Sequence, residues 1–370
     1  MLFPIILLAV FCLAYANGAN DNFKGVATLF GSGTTDYRRA LRWATITTLL
    51  GSLTAVFLAE TLLKSFTGKG LVDTELAASV DYGAAVALGA GLTVLLATRI
   101  GMPISTTHSL VGTLLGAGWA AGSAINLEKL GSGFVAPLLL SPFLALGVTV
   151  LLYPILTRTR QRWGVTSETC LCVGNETVEV VSASCNSVAL QRAEQLSVQI
   201  GDVVTCQNRY RGKMLGIDTA STLDRLHYLS AGMVSFARGL NDTPKIAALL
   251  LLAPALGGFG STALVGVAIA AGGMISARRV AETMSQKITS MNHGQGLTAN
   301  LITSLIVIGA SRFGLPVSTT HVSCGSLFGI GTVTRQAHWG VIGKILGAWL
   351  VTLPMGAALG AVCFWGIRSL

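Results

Sequence analysis

The chain has 370 residues, of which 52% are apolar and only 11% are charged. Soluble globular proteins carry about 25% charged residues, so this composition excludes an ordinary soluble enzyme as well as disordered, collagen-like and coiled-coil proteins. In a soluble protein, a net charge of +9 would indicate nucleic-acid binding. Here most basic residues lie at the ends of apolar stretches, so we expect a lipid bilayer and not a nucleic acid as the partner.

Ten apolar stretches approach or exceed the roughly 17 to 25 residues that a membrane-spanning helix needs. They are 2–31 (interrupted), 41–63, 81–98, 103–122, 133–156, 224–254 (interrupted), 259–276, 294–310, 315–333 and 340–367. The polar segment 157–222 instead contains short alternating runs, which are typical of β-strands. We therefore predict an all-α polytopic membrane protein made of membrane repeat 1 (1–156), a small β-rich insert (157–222) and membrane repeat 2 (223–370).

Two motifs recur in the two membrane parts in the same order. Residues 16–24 (ANGANDNFK) match 237–245 (ARGLNDTPK), and residues 99–108 (RIGMPISTTH) match 312–321 (RFGLPVSTTH). Matched motifs in one order indicate that the chain consists of two homologous halves.

Basic residues in the loops predict how the halves are oriented, because they mark the cytoplasmic side of a membrane. Arg38 and Arg39 follow the first apolar stretch of the first half, whereas Arg278 and Arg279 follow the second stretch of the second half. Equivalent loops then lie on opposite sides, which predicts inverted-topology repeats with broken or re-entrant helices and a cytoplasmic insert 157–222. Inverted repeats are typical of secondary transporters, which bind substrate near the middle of the membrane.

The first motif, Gly-x-Asn-Asp, places a carboxylate inside an apolar stretch in both halves. An ionised aspartate is costly there unless it is paired or faces a polar cavity. In both copies a glycine lies two residues before the pair, which is Asn20 and Asp21 in the first half and Asn241 and Asp242 in the second. This combination suits a helix break where a cation or a protonated substrate binds. The structural alternative is a buried polar cluster that only holds helices together.

A lysine also recurs, four residues after the asparagine of each motif. Positions i and i+4 share one face of a helix, so Lys24 and Lys245 are expected to pair with the local aspartate or to face a bound anion. The alternative is that both side chains extend to the membrane surface.

The second motif, Pro-x-Ser-Thr-Thr-His, predicts an anion site. Pro103 and Pro316 are expected to begin a helix, and the free amides and dipole of a first helical turn favour an anion. Two such turns could surround a tetrahedral oxyanion, and ordinary helix capping is the alternative. His108 and His321 either donate to the anion, exchange a proton with it, or only pack between helices. The hydroxyl donors are Ser105, Thr106, Thr107, Ser318, Thr319 and Thr320.

No metal site and no cofactor are expected beyond a coupling ion. The insert cysteines Cys170, Cys172, Cys185 and Cys206 do not fit the spacing of a structural zinc site, so we expect free thiols. An intramembrane enzyme would not normally duplicate its reactive residues, so the doubled motifs argue against an enzyme. A channel with the same repeat remains open at this point.

The paired motifs resemble those of the PiT-type inorganic phosphate transporter family over both membrane halves. The resemblance implies an elevator-like, inverted-repeat fold that carries phosphate with sodium or, in some bacterial members, a proton. It also implies that the asparagines and aspartates of the first motif line the ion and phosphate site and that the Ser-Thr-Thr hydroxyls bind phosphate. We expect a multi-pass protein of the cytoplasmic membrane (the inner membrane of a bacterial cell), with a homodimer as a candidate assembly.

One departure from the family bears on the coupling ion. The usual motif reads Asn-Asp-Val-Ala-Asn, and here Lys24 and Lys245 replace the last asparagine. A fixed ammonium can occupy the position of a sodium ion, so we expect at least one sodium site to be replaced, which leaves proton coupling or a different stoichiometry.

The sequence favours phosphate over sulfate as the substrate. Phosphate keeps a proton near neutral pH, whereas sulfate does not. Asp21 and Asp242 could accept that proton but would repel sulfate. Sulfate, or a related tetrahedral oxyanion, is the alternative substrate.

Overall fold

The computed structural model describes residues 2–166, 168–184, 187–202, 214–252 and 257–369. The chain forms two compact units, one made of Met1–Tyr153 and His227–Leu370 and the other of Pro154–Leu226. The first unit is built almost wholly of helices, whereas the second contains the strands.

Fifteen α-helices are present in the described residues. Those before the strands are α1 (Leu2–Asp21), α2 (Ala27–Gly31), α3 (Tyr37–Leu58), α4 (Glu60–Ser65), α5 (Thr74–Ala77), α6 (Val80–Arg99), α7 (Thr106–Ala120), α8 (Leu127–Leu130) and α9 (Ala136–Arg162). Those after them are α10 (Thr219–Ala247), α11 (Gly257–Ser276), α12 (Arg278–Glu282), α13 (His293–Arg312), α14 (Thr319–Thr334) and α15 (Trp339–Arg368). Short 3-10 segments follow α1 and α10, at Asn22–Val26 and Ala248–Leu252, and π-helical turns lie at Gly131–Val135 and Thr283–Lys287.

Six helical segments of the described chain are long and apolar enough to cross a membrane, fewer than the ten stretches predicted. They are Phe3–Gly31, Tyr37–Leu58, Val80–Arg99, Leu127–Arg162, Gly257–Ser276 and Trp339–Arg368. The predicted stretches 103–122 and 315–333 form α7 and α14, of 15 and 16 residues. At 1.5 Å per residue α7 is about 23 Å long, shorter than a hydrocarbon core of about 30 Å.

The glycines of the first motif are packing positions within their helices. A Cβ added to Gly18 would lie 1.9 Å from the backbone oxygen of Ile269, and one added to Gly239 would lie 2.2 Å from that of Thr48. Both glycines are inside helices, so they bring α1 against α11 and α10 against α3 at backbone contact. Small residues serve this purpose at helix interfaces in membranes.

Three strands lie in the second unit. β1 (Thr169–Ser184) pairs antiparallel with β2 (Ser187–Asp202) and, near its start, with β3 (Met214–Asp218), which gives the order β2-β1-β3. Residues 203–213 between β2 and β3, with Cys206, lie outside the described residues, as does Cys185. The β-rich insert therefore stays a prediction.

Candidate functional site

The two copies of Gly-x-Asn-Asp sit differently along their helices. In the first copy α1 ends at Asp21, and the 3-10 segment that follows carries Lys24. In the second copy α10 continues through Pro244 to Ala247, and only then does a 3-10 segment follow. The predicted helix break therefore directly follows the motif only in the first half, whereas the second helix tolerates its proline, as membrane helices often do.

The helices of the second motif begin later than the sequence suggested. Ser105 and Ser318 are the N-caps of α7 and α14, and their hydroxyls accept from the backbone amides of His108 at 3.1 Å and His321 at 3.2 Å. The prolines precede these caps, so the prediction that they begin the helices is wrong. A capping role fits the two serines, while the four threonines contact other groups.

Lys24 lies in the interior of the protein among oxygen atoms. Its Nζ donates to Asn20 Oδ1 at 2.8 Å, to the Ile104 carbonyl at 2.9 Å and to Thr320 Oγ1 at 2.7 Å, and it pairs with the carboxylate of Asp21. We call these four oxygens the first cage. The residue is only 4% exposed, so the alternative of a lysine extended to the membrane surface is wrong.

Lys245 has the corresponding surroundings in the second half. Its Nζ donates to Thr107 Oγ1 at 2.8 Å and to the Val317 carbonyl at 2.8 Å, and it lies 3.5 Å from Asp242 Oδ1. We call these three oxygens the second cage. Lys245 is 1% exposed, so both lysines are buried counter-charges of the motif aspartates.

The remaining threonines bind the motif carboxylates. Thr106 Oγ1 donates to Asp21 Oδ2 at 3.1 Å, and Thr319 Oγ1 donates to Asp242 Oδ2 at 3.4 Å. The two motifs of each half therefore meet at one carboxylate. All six predicted hydroxyls have partners within the protein. The threonine hydroxyls donate to protein oxygens, so an anion must replace those hydrogen bonds, whereas the two serine hydroxyls only accept at their caps.

The motif asparagines contact equivalent residues that the sequence analysis missed. Asn20 Nδ2 donates to Thr98 Oγ1 at 2.9 Å, and Ser311 Oγ lies 3.2 Å from Asn241 Oδ1. Thr98 and Ser311 each stand immediately before the arginine that opens the second repeated motif. A hydroxyl at both positions was the available signal.

A third amide, from Asn17, joins the two halves. Its Nδ2 lies 3.0 Å from Asp21 Oδ2, 3.0 Å from Thr106 Oγ1 and 3.4 Å from Asp242 Oδ2. Both motif carboxylates therefore converge on one amide nitrogen. This convergence brings the two copies of the first motif into a single buried centre.

Arg238 occupies the position in the second half that Asn17 occupies in the first. Its guanidinium is 1% exposed and donates to Asn17 Oδ1 at 3.3 Å, Asn22 Oδ1 at 3.1 Å and Thr48 Oγ1 at 3.1 Å. All three acceptors are neutral. Within the described part of the chain it has no carboxylate at ion-pair distance, and its Nε has no hydrogen-bond partner. An arginine inside an apolar stretch was the available signal in the sequence.

The two histidines of the second motif come together. The rings of His108 and His321 lie 4.4 Å apart between centroids, and His321 stacks on Trp349 of α15 at 3.8 Å. Both are buried, and in the described residues His108 Nδ1 and both ring nitrogens of His321 have no hydrogen-bond partner. The spacing of the motif predicted neither this pairing nor the contact with Trp349.

No group of three or more His, Cys, Asp or Glu side chains suited to a metal ion occurs among the residues that the structure describes. Three cysteines of the helical unit, Cys12, Cys324 and Cys363, are free thiols in the described residues.

Comparison with known proteins identifies the family. Residues 17–360 match the profile of the phosphate transporter family. The chain belongs to this family. It is a multi-pass membrane protein.

Relatives of this phosphate transporter chain match over nearly its whole length. A protein of Pyrococcus abyssi assigned by name to the phosphate permeases is 28% identical over 97% of this chain and 96% of its own length. The chloroplastic inorganic phosphate transporter 2-1 of Arabidopsis thaliana is 28% identical over 97% of this chain and 71% of its own length. A solved structure described as the sodium-dependent phosphate transporter superposes with a TM-score of 0.75 at 21% identity, covering 100% of this chain and 99% of that one, which is a likeness of fold.

Proposed function

We propose that this protein is a secondary active transporter that imports inorganic phosphate across the cytoplasmic membrane by cation-coupled symport. The observation that carries the proposal is the single buried centre in which Asp21 and Asp242 share the amide of Asn17. Two doubled motifs meeting there, in a chain of the phosphate transporter family, form the kind of midplane site that a transporter built from two halves uses.

Phosphate binds at the beginnings of α7 and α14 in this proposal. The first amides of each helix have no acceptor within the helix and point, with the positive end of the dipole, towards the centre. The serine hydroxyls donate to phosphate oxygens from their caps, and the threonine hydroxyls donate once they leave their present acceptors. Asp21 and Asp242 accept the proton that phosphate retains near neutral pH.

Asn20 and Asn241, with the aspartates, contribute oxygens for a cation, which is either the coupling ion (sodium or a proton) or the counter-charge that Lys24 and Lys245 supply. The unpartnered ring nitrogens of His108 and His321 are available to a proton or to the anion. If they take part, a His321→Gln variant changes the pH profile of uptake, whereas His338→Gln, at an exposed position, leaves the profile unchanged.

Alternating access by an elevator-like movement of inverted repeats is part of the proposal. It is supported by contacts that recur in both halves: lysine with aspartate, threonine with aspartate, and each lysine with a threonine of the other half. The orientation with a cytoplasmic insert, and a homodimer as the assembly, remain predictions.

Sulfate transport is the second candidate. Arg238 adds a buried guanidinium without an ion-pair partner in the described residues, and a guanidinium can donate to an oxyanion that carries no proton. The repeat of the motif aspartates still favours phosphate.

Uptake of labelled phosphate by reconstituted vesicles tests the proposal, with sodium and pH gradients imposed separately at fixed membrane potential. We expect accumulation driven by a cation gradient and competed by unlabelled phosphate. Uptake blocked by sulfate but indifferent to unlabelled phosphate would reverse the substrate assignment. Counterflow distinguishes a carrier, which shows it, from a channel, which does not.

A further inference from the structure

The first cage has the composition of a site for a hard cation. It offers a carboxylate oxygen from Asp21, an amide oxygen from Asn20, a backbone carbonyl from Ile104 and a hydroxyl from Thr320. Hard metal cations bind to oxygens of these four kinds. In this protein the cation among them is the ammonium of Lys24.

The second cage repeats the arrangement with three oxygens. Asp242 supplies a carboxylate, Val317 a carbonyl and Thr107 a hydroxyl, and the cation is the ammonium of Lys245. In both cages the carboxylate and the carbonyl come from one half and the hydroxyl from the other. The same cation position is therefore occupied by a lysine twice.

The lysines leave no cage oxygen free to bind a dissolved ion. An ammonium has three N–H donors, and Lys24 has four oxygen partners while Lys245 has three. Both lysines are at most 4% exposed, so water screens their positive charges only weakly. A sodium ion at either position would have to displace an ammonium and meet its charge.

The buried charges of the centre also favour an anion when no dissolved cation is bound. The buried cations are Lys24, Lys245 and Arg238, and the buried carboxylates facing them are Asp21 and Asp242. Three positive and two negative groups leave one positive charge. A monovalent oxyanion such as dihydrogen phosphate neutralises that charge, and Arg238 has no competing ion pair within the described residues.

On the basis of the proposed transport function, we propose that Lys24 and Lys245 are built-in cations that take the place of dissolved sodium in both cages. The centre then binds its oxyanion without sodium at these positions. The cation that drives import then has to be a proton.

Thermal unfolding of the purified full chain in detergent tests the cages without requiring transport. We compare sodium chloride with choline chloride at equal concentration and expect the same midpoint for the unaltered protein in both salts. Lys24→Ala opens the first cage beside an uncompensated Asp21, so sodium should now raise the unfolding midpoint by several degrees. Lys64→Ala is the matched control, because Lys64 pairs with Glu60 at 2.7 Å with both side chains 71% exposed.

Each outcome decides the proposal. A sodium-specific rise in the unfolding midpoint of the unaltered protein overturns the proposal. The absence of such a rise in both Lys24→Ala and Lys245→Ala overturns it as well. If neither variant folds, phosphate uptake by the unaltered protein at fixed potential and pH decides: uptake unchanged by replacing sodium with choline supports the built-in cations, and uptake that collapses overturns them. Absence of phosphate uptake under every gradient refutes the transport function instead, and the unfolding comparison still judges the cages.

Discussion

The ammonium of Lys24 lies 2.7 Å from the hydroxyl oxygen of Thr320, a residue of the opposite half of the chain. That hydroxyl in turn donates to the Ile104 carbonyl at 2.9 Å, another member of the first cage. Lys245 makes the reciprocal contact with Thr107. The two halves are therefore joined at the centre by a pair of equivalent lysine–threonine hydrogen bonds.

Replacement of Thr320 by valine should lower phosphate uptake at least tenfold while the protein still folds. Valine keeps the shape but removes the one oxygen that the opposite half supplies to Lys24. A hydrogen bond to a charged group contributes about 1.5–3 kcal/mol, roughly one to two factors of ten. Initial rates in vesicles measure the effect. Thr67→Val is the control, since that hydroxyl donates to the Lys64 carbonyl near the surface; equal losses in both variants would contradict the role of the cross-half contact.

Asp21→Asn should destabilise the protein strongly because it leaves the ammonium of Lys24 buried without its counter-charge. Loss of one partner of a buried ion pair costs about 3–5 kcal/mol. Denaturant unfolding measures the loss, and Glu60→Gln, in the exposed pair with Lys64, should change little. The double variant Asp21→Asn with Lys24→Met should regain much of the stability but not transport, because the carboxylate has gone from the centre.

The sequence predicted much of this centre because its residues are doubled. The motif aspartates, lysines and hydroxyls were all identified from repetition, and the structure places them together. Asn17 and Arg238 were missed because they occupy matched positions but differ in type, so repetition gave no signal for them. Helix starts were misplaced at Pro103 because the serine two residues later caps the helix.

The number of membrane-spanning helices also could not be predicted from the sequence. Apolar runs at 103–122 and 315–333 have the composition of a membrane span, yet α7 and α14 begin at the buried centre and are short. Composition does not reveal where a helix starts relative to the membrane. The contact of His321 with Trp349 depends on how α14 and α15 pack, which no local pattern encodes.

Gly18→Ala should destabilise the protein because the added methyl would lie 1.9 Å from the backbone oxygen of Ile269. Neither backbone can move without separating α1 from α11, so we expect a loss of about 1–3 kcal/mol, as for overpacked cores. Gly147→Ala in α9, where a Cβ has no neighbour within 4 Å, is the control and should be neutral or slightly stabilising. Thermal unfolding of both variants provides the comparison, and equal midpoints would refute the close helix contact.

Arg238→Gln should weaken phosphate binding, and it should destabilise the fold less than the loss of an ion-pair partner does. The guanidinium donates only to neutral oxygens, and its charge has no carboxylate partner in the described residues, so its removal breaks no ion pair. The anion loses the surplus positive charge of the centre, which should raise the KM for phosphate about tenfold or more, equivalent to about 1.4 kcal/mol. Arg238→Lys keeps the charge and should recover part of the affinity, whereas Arg312→Gln, at an exposed position, should change nothing. A KM for Arg238→Gln equal to that of the unaltered protein, with only the maximal rate reduced, would show that Arg238 positions helices and does not hold the anion.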